Sequence, residues 1–199
     1  VMVEMMQESE MCEKLRTLMD EERYEHSLGV RDSAVMLAKR YGADVAKARI
    51  AGLLHDCAKG LVREEMIGKA LEVGIELGPE EFRVEALLHG PVGAVMARQV
   101  FGIQDPEILS AIECHTTGKR NMSLLDKIIY LADYIEPNRD FPEVEELRRV
   151  AMEDLDKAVL LAVRRTIKYV LDTDRFLHPR TVEAWNDMLK RFKLQKLPG

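Results

Sequence analysis

Apolar residues recur at helical spacing along the whole chain, and capping residues, prolines and glycines cut that pattern into pieces of helix length. Cys12, Leu15, Leu18 and Met19 carry it within residues 9–23, and Leu28, Ala34, Val35 and Leu37 continue it over His26–Tyr41. Asp44 is placed to cap a helix running to Lys59 with Gly60 as its stop, and the next helix, Arg63–Val73, ends at Gly74. Pro79, Pro91 and Pro106 each suit a first helical turn. They predict one helix from Pro79 through Phe82 and Leu87 to His89, one from Pro91, and one from Pro106 behind the capping Asp105. Ser123 and Asp126 resemble a capping box for a helix reaching Ile135 and closed by Pro137. A long amphipathic stretch, Glu143–Leu171, breaks near Glu153–Asp154, and a last helix covers Thr181–Phe192. IIYLADYI is the one β-like run, and its flanks favour helix. The expectation is an all-α fold: a single domain over 1–199, with its motifs in about 12–140 and the helices of about 143–195 packed on it.

Composition narrows the function classes. A hydrophobic content of 47% suffices for a sizeable core, and a net charge of −6 argues against a nucleic-acid partner, which calls for a basic face. No apolar run approaches the ~20 residues that span a bilayer, so no membrane partner is expected, and no stretch has a signal-peptide layout. Cys12, Cys57 and Cys114 are odd in number and form no CxxC pair, which predicts a reducing, cytoplasmic setting. The opening VMVEMMQ is set aside from the fold reading. The apolar face of Glu143–Leu171 either buries within the chain or pairs two subunits in a homodimer.

Ionisable residues fall where this pattern is most apolar. LLHDCAKG (53–60) places His55, Asp56 and Lys59 around one helix end. His26 lies three residues after Arg23, His89 extends the stripe of Phe82 and Ala86, His115 extends that of Ile108 and Ile112, and Asp133 follows Ile129 by one turn. Any one such histidine is more often a satisfied core residue than a ligand. Five helices each delivering His or Asp from an inward face is a different matter: if those faces converge, they form a nitrogen–oxygen set suited to iron, manganese, zinc or cobalt.

The order His26, His55–Asp56, His89, His115, Asp133 resembles the HD superfamily of metal-dependent phosphohydrolases. RYEHSLGV (23–30), AGLLHDCAKG (51–60), HGPVGA (89–94) and ECHTTGKRNMSLLDKIIYLADYIEPNR (113–139) look like the motifs of one branch, the HD-type symmetrical bis(5′-nucleosyl)-tetraphosphatases. The resemblance covers roughly residues 12–190. It implies an all-helical enzyme that uses iron and hydrolyses diadenosine tetraphosphate to two ADP, with His26, His55, Asp56 and Asp133 as metal ligands. By the same resemblance, His89 and His115 stand where related enzymes hold a second ion bridged by the HD aspartate; here they bind that ion or contact phosphate.

Under that reading, Asp56 orients the attacking water or bridges two ions, and Lys59, Arg23 and Arg139 bind phosphate oxygens. Thr116, Thr117 and Gly118 either stop a helix or turn N–H groups toward phosphate, and Arg175 with His178 would close over a nucleotide. Arg164–Arg165 and Lys190–Arg191 read as solvated helix faces. The competing readings are an HD phosphohydrolase acting on other nucleotides and a non-catalytic nucleotide-binding module.

Overall fold

The computed structural model describes residues 4–78 and 84–194, so the expected start of a helix at Pro79 and its Phe82 lie outside the described residues. Ten helices and no strand appear among the described residues: α1 (Glu8–Leu18), α2 (Glu21–Tyr41), α3 (Val45–Leu54), α4 (Arg63–Glu72), α5 (Glu85–Gln99), α6 (Pro106–Cys114), α7 (Leu124–Ile135), α8 (Val144–Glu153), α9 (Leu155–Asp172) and α10 (Pro179–Leu194).

The caps explain most boundaries. The Asp44 carboxylate accepts from the N–H groups of Ala46 and Lys47, and Asp105 does the same for Glu107 and Ile108. Ser123 and Asp126 form the reciprocal box at the start of α7, and Asp154 ends α8 and caps α9. Asp20 caps α2 by accepting from the Arg23 N–H, so the helix expected over 9–23 splits at Met19–Asp20 and Arg23 joins His26 on α2.

Two further expectations are corrected. The α-helix after Asp44 ends at Leu54 rather than Lys59, because His55 caps it and residues 55–60 run on as successive turns. Pro91 lies inside α5 rather than at its start. A proline there removes one ladder bond and costs roughly 3 kcal/mol. Burial of Leu88, Val92, Met96 and Ala97 in the face toward α4 and α6 carries the helix across it.

Helix α2 lies along α3 and α7, α5 packs on α6, and α9 packs on α7, α8 and α10. One apolar cluster runs from Met11 to Met188, with Leu37, Leu54, Phe101, Ile112, Ile128 and Tyr130 fully buried, each such side chain contributing roughly 1.5–3 kcal/mol. The apolar face of 144–163 packs inside the chain, where Leu147, Val150, Val159 and Val163 are buried, whereas Tyr169 and Leu171 at the end of α9 are exposed. Gly52 sets the spacing between α2 and α3: a Cβ there would stand 2.9 Å from the Arg31 Cα. Any larger residue therefore separates the helix bearing His26 from the one leading to His55.

Candidate metal centre and substrate cavity

The end of α3 and the end of α6 use the same local device. His55 and His115 are the C-caps of these helices, where carbonyls lack a helical partner, and each ring turns back on its own helix. Nδ1 of His55 donates to the Gly52 carbonyl at 2.8 Å and Nδ1 of His115 to the Ile112 carbonyl at 2.7 Å, which leaves both Nε2 atoms facing inward as acceptors. His26 on α2, Asp133 on α7 and His89 on α5 point to the same centre.

Asp56 stands in the middle, 1% exposed. On its Oδ2 side lie His26 Nε2 at 3.7 Å, His55 Nε2 at 3.4 Å and the Lys59 ammonium at 2.8 Å. Asp133 Oδ1 completes that side, 3.0 Å from His26 Nε2 and 3.8 Å from His55 Nε2. On the Oδ1 side lie His89 Nε2 at 3.4 Å and His115 Nε2 at 3.2 Å. The two imidazoles are 3.0 Å apart, and the Thr116 hydroxyl is within 3.2 Å of both.

The donor set fits a divalent first-row ion on three counts. Asp56 Oδ1 is buried and has no hydrogen-bond partner among the described residues, a costly state for a carboxylate unless a cation meets it. Three ligand groups, His26–His55–Asp56, His55–His115–Asp133 and Asp56–His89–His115, each hold their donor atoms within 4.8 Å of one another. Donors sharing an ion at about 2.1 Å would stand about 3.0–3.4 Å apart, close to the spacing seen.

Third, the shifts at His55, His89, Asp56 and Asp133 suit ligation. Burial pulls His55 down, and burial with the neighbouring His115 takes His89 down to about 3, which favours the neutral, ligating form of both rings. Burial opposes ionisation of Asp56 and Asp133, yet the surrounding histidines with Lys59 or Arg139 hold both well below the usual carboxylate range. Burial also acts to lower His26, but its hydrogen bond to Asp133 outweighs this and leaves it raised.

The cluster opens into a cavity of about 1010 Å³ lined by His89, His115, Asp133, Arg23, Lys59 and Arg139 on one side and by α9, the 172–178 segment and Phe141 on the other. The expected cations are all there, each engaged with the protein. Arg23 donates to the Lys59 carbonyl at 2.6 Å, and Arg139 donates to the Asp133 side chain at 2.5 Å and its carbonyl at 2.8 Å. Arg175 is exposed at the mouth, its guanidinium 5.4 Å from the centre of the Tyr169 ring, and His178 lines the same cavity.

The HTTG segment divides. Thr116 joins the cluster, and Thr117 lines the cavity while its hydroxyl donates to the Gly118 carbonyl. The Gly118 N–H donates to the Cys114 carbonyl at 2.8 Å and stops α6, so it is not turned toward a ligand. Cys57 and Cys114 are buried and unpaired, and burial pushes both thiols well up.

Sequence reasoning missed three contributors. Arg165, expected on a solvated face, lines the cavity and lies over Phe141 at 3.8 Å. Glu136 contacts His26, and Arg148 reaches back from α8 to the turn that follows α7. Glu136 stood in the quoted EPNR segment, but a glutamate just past a helix end carries no periodicity that marks it as buried.

An all-helical domain with histidines and aspartates from separate helices joined at the floor of a cation-lined cavity is the architecture of a metal-centred phosphohydrolase. The family model for the HD domain matches residues 23–138. A Halalkalibacterium halodurans protein named symmetrical bis(5′-nucleosyl)-tetraphosphatase is 44% identical over 85% of this chain and 90% of its own length. A Bacillus subtilis protein of the same name is 41% identical over 83% and 89%. A Clostridium acetobutylicum crystal structure, described as an HD superfamily hydrolase involved in NAD metabolism, is 52% identical, with a TM-score of 0.91 over 94% of this chain and 99% of that one. The chain belongs to the HD-domain family and, within it, to the family of symmetrical bis(5′-nucleosyl)-tetraphosphatases.

Proposed function

We propose that this protein is a metal-dependent hydrolase that cleaves diadenosine tetraphosphate at its central phosphoanhydride to give two ADP. The carrying observation is the meeting of His26, His55, Asp56 and Asp133 beneath a cavity that Asp133, His89 and His115 line together with Arg23, Lys59 and Arg139. The names of the relatives supply the substrate; the cavity's charge suits it.

Those four residues would hold one ion, and His89 and His115 would hold a second against Asp56 Oδ1 or contact phosphate. We assign iron as the native metal, with manganese, zinc and cobalt as the alternatives this donor set admits. A bound divalent ion supplies Lewis-acid polarisation of a phosphoryl oxygen and acidifies water at neutral pH. Asp56 orients the attacking water, Lys59 and Arg23 bind oxygens of the polyphosphate, and Arg139 takes up charge as the P–O bond breaks and ADP leaves as an oxyanion. Thr116 and Thr117 line the phosphate path. Tyr134, Phe141 and Tyr169, with Arg165 over Phe141 and Arg175 near Tyr169, line the wall that would take one nucleoside.

In this reading the chain acts as one unit, since α9 and the start of α10 wall the cavity that the metal cluster floors. Within 144–171 the apolar face is covered as far as Val163, while Tyr169 and Leu171 are exposed, and we keep a homodimer as a candidate assembly. Three free cysteines and the absence, among the described residues, of any helix long and apolar enough to cross a membrane accord with the cytoplasmic setting we assign.

Chromatography of the products of diadenosine tetraphosphate tests the proposal: ADP alone is expected, and ATP with AMP refutes the symmetrical cut. Faster turnover of mononucleotides than of the dinucleotide would favour the broader phosphohydrolase. Folded, metal-loaded protein inert toward all of them would favour the binding module.

A further inference from the structure

Among the four ligands proposed for the first ion, His26 is the histidine that does not orient itself as His55 does. His55 and His115 sit at helix ends and donate Nδ1–H to a carbonyl of their own helix. His26 lies well inside α2, where backbone carbonyls are occupied by the helical ladder. Its Nδ1 instead meets Glu136 Oε1 at 3.1 Å.

Glu136 is held for that contact from every side. It is 1% exposed, and its second oxygen accepts the Asn138 N–H at 2.8 Å. That oxygen lies over Gly29 on α2, one turn beyond His26, where an added Cβ would stand 2.6 Å from it. Only a residue without a side chain leaves this slot open. The backbone of Glu136 is fixed from α8: Arg148 donates to the carbonyls of Ile135 at 3.0 Å, Glu136 at 2.7 Å and Arg139 at 3.0 Å.

We propose that Glu136 is a positioning residue for the metal centre: it fixes the His26 proton on Nδ1 and so presents Nε2 to the ion, with Gly29 as the slot that admits it. The proposal rests on the reading of His26 as a ligand. A ligating imidazole needs its other nitrogen protonated and its ring plane held, and loss of such a partner costs about 10–100-fold in metal affinity.

Glu136→Gln is a sharp test because the amide has a forced orientation. The Asn138 N–H requires the amide oxygen, which turns the NH₂ toward His26 Nδ1. Two donors then face each other, and His26 shifts its proton to Nε2, the nitrogen the metal needs. Gly29→Ala displaces the same carboxylate without altering it.

Cobalt affinity would be measured by chelator competition, with the visible spectrum of the cobalt-loaded protein and the melting midpoint of the metal-free protein. In both variants cobalt binding is expected to weaken about 10–100-fold with an altered spectrum, while the metal-free Glu136→Gln protein melts near the parent. Parental affinity and spectrum in both variants overturn the proposal, as does a lowered melting midpoint with parental affinity, which is what a packing role alone would give. His26→Ala separates the two levels. If it keeps cobalt at parental affinity, the ligand reading falls; if it loses cobalt while Glu136→Gln does not, only the positioning role falls.

Discussion

The two walls of the cavity are built on opposite principles. The floor, around Asp56, is buried and over-determined: His55, His115 and His26 each have a hydrogen bond behind the ring, and Asp133 is gripped by Arg139. The facing wall, from Tyr169 through Phe176, is largely exposed; its short hydrogen bonds, such as Thr173 Oγ1 to the Tyr169 carbonyl at 2.6 Å, close its own turn, and the Arg175 guanidinium meets the Tyr169 ring only at 5.4 Å. A centre that must hold donors within a few tenths of an ångström needs a rigid shell. A wall that admits and releases a large, flexible dinucleotide does not. Under the proposed function, chemistry belongs to one side and affinity to the other, and substitutions on each side should separate them.

The largest effect is expected at Asp56, which faces both ligand sets. Asp56→Ala should remove bound metal and lower turnover by about 10³-fold or more. Metal analysis of the purified variant checks the first point and steady-state assay the second; full activity would break the division at its root.

Lys59 stands at the boundary. Lys59→Ala should retain metal but lose about 10–100-fold in kcat, the equivalent of one charge-assisted hydrogen bond of about 1.5–3 kcal/mol. An unchanged rate would return this ammonium to a capping role at the helix end.

On the facing wall, Arg175→Ala should raise KM roughly fivefold and leave kcat and metal content near the parent, since a half-exposed cation–π or phosphate contact is worth about 1 kcal/mol. A fall in kcat of the size seen at Lys59 would mean that the exposed wall shares in the chemistry.

The smallest effect on turnover is expected at a buried carboxylate outside the centre. Asp126 accepts from the Ser110 hydroxyl at 2.6 Å and the Ser123 N–H at 2.8 Å and pairs with Lys119 at 3.0 Å, anchoring the turn that carries Thr116. Burial works against its charge, but these partners outweigh burial and hold it below its ordinary 3.8. A depressed carboxyl stabilises the fold above its unfolded pKa, and that stability is lost as pH falls through the folded value. Asp126→Asn should cost about 1–3 kcal/mol at pH 7, and the gap in urea midpoint between parent and variant should narrow below pH 3.8. A constant gap would show that charge is not what Asp126 contributes.

Much of this molecule was legible before any coordinates. Local rules gave the caps at Asp44, Asp105 and Ser123, because each depends on a side chain and the N–H groups two or three residues on, and they gave the break at Glu153–Asp154 without its cap. They failed at Pro91, where packing across α5 outweighs a local penalty, and at His55, where the α-helix ends earlier than its apolar pattern.

The cluster residues were visible as histidines and aspartates on apolar faces, since burial of such groups needs a reason that periodicity alone exposes. Glu136, Arg148 and Arg165 left no such mark, because their partners lie across the fold: Glu136 on His26, Arg148 on the 135–139 turn, Arg165 on Phe141. The sequence by itself determined the helical fold, most of the helix caps and the residues proposed as metal ligands, from patterns set within a turn or two of chain. Only the tertiary structure decided which carboxylate orients which imidazole and which cations share one cavity. Those pairings depend on how helices separated by up to 110 residues are brought side by side.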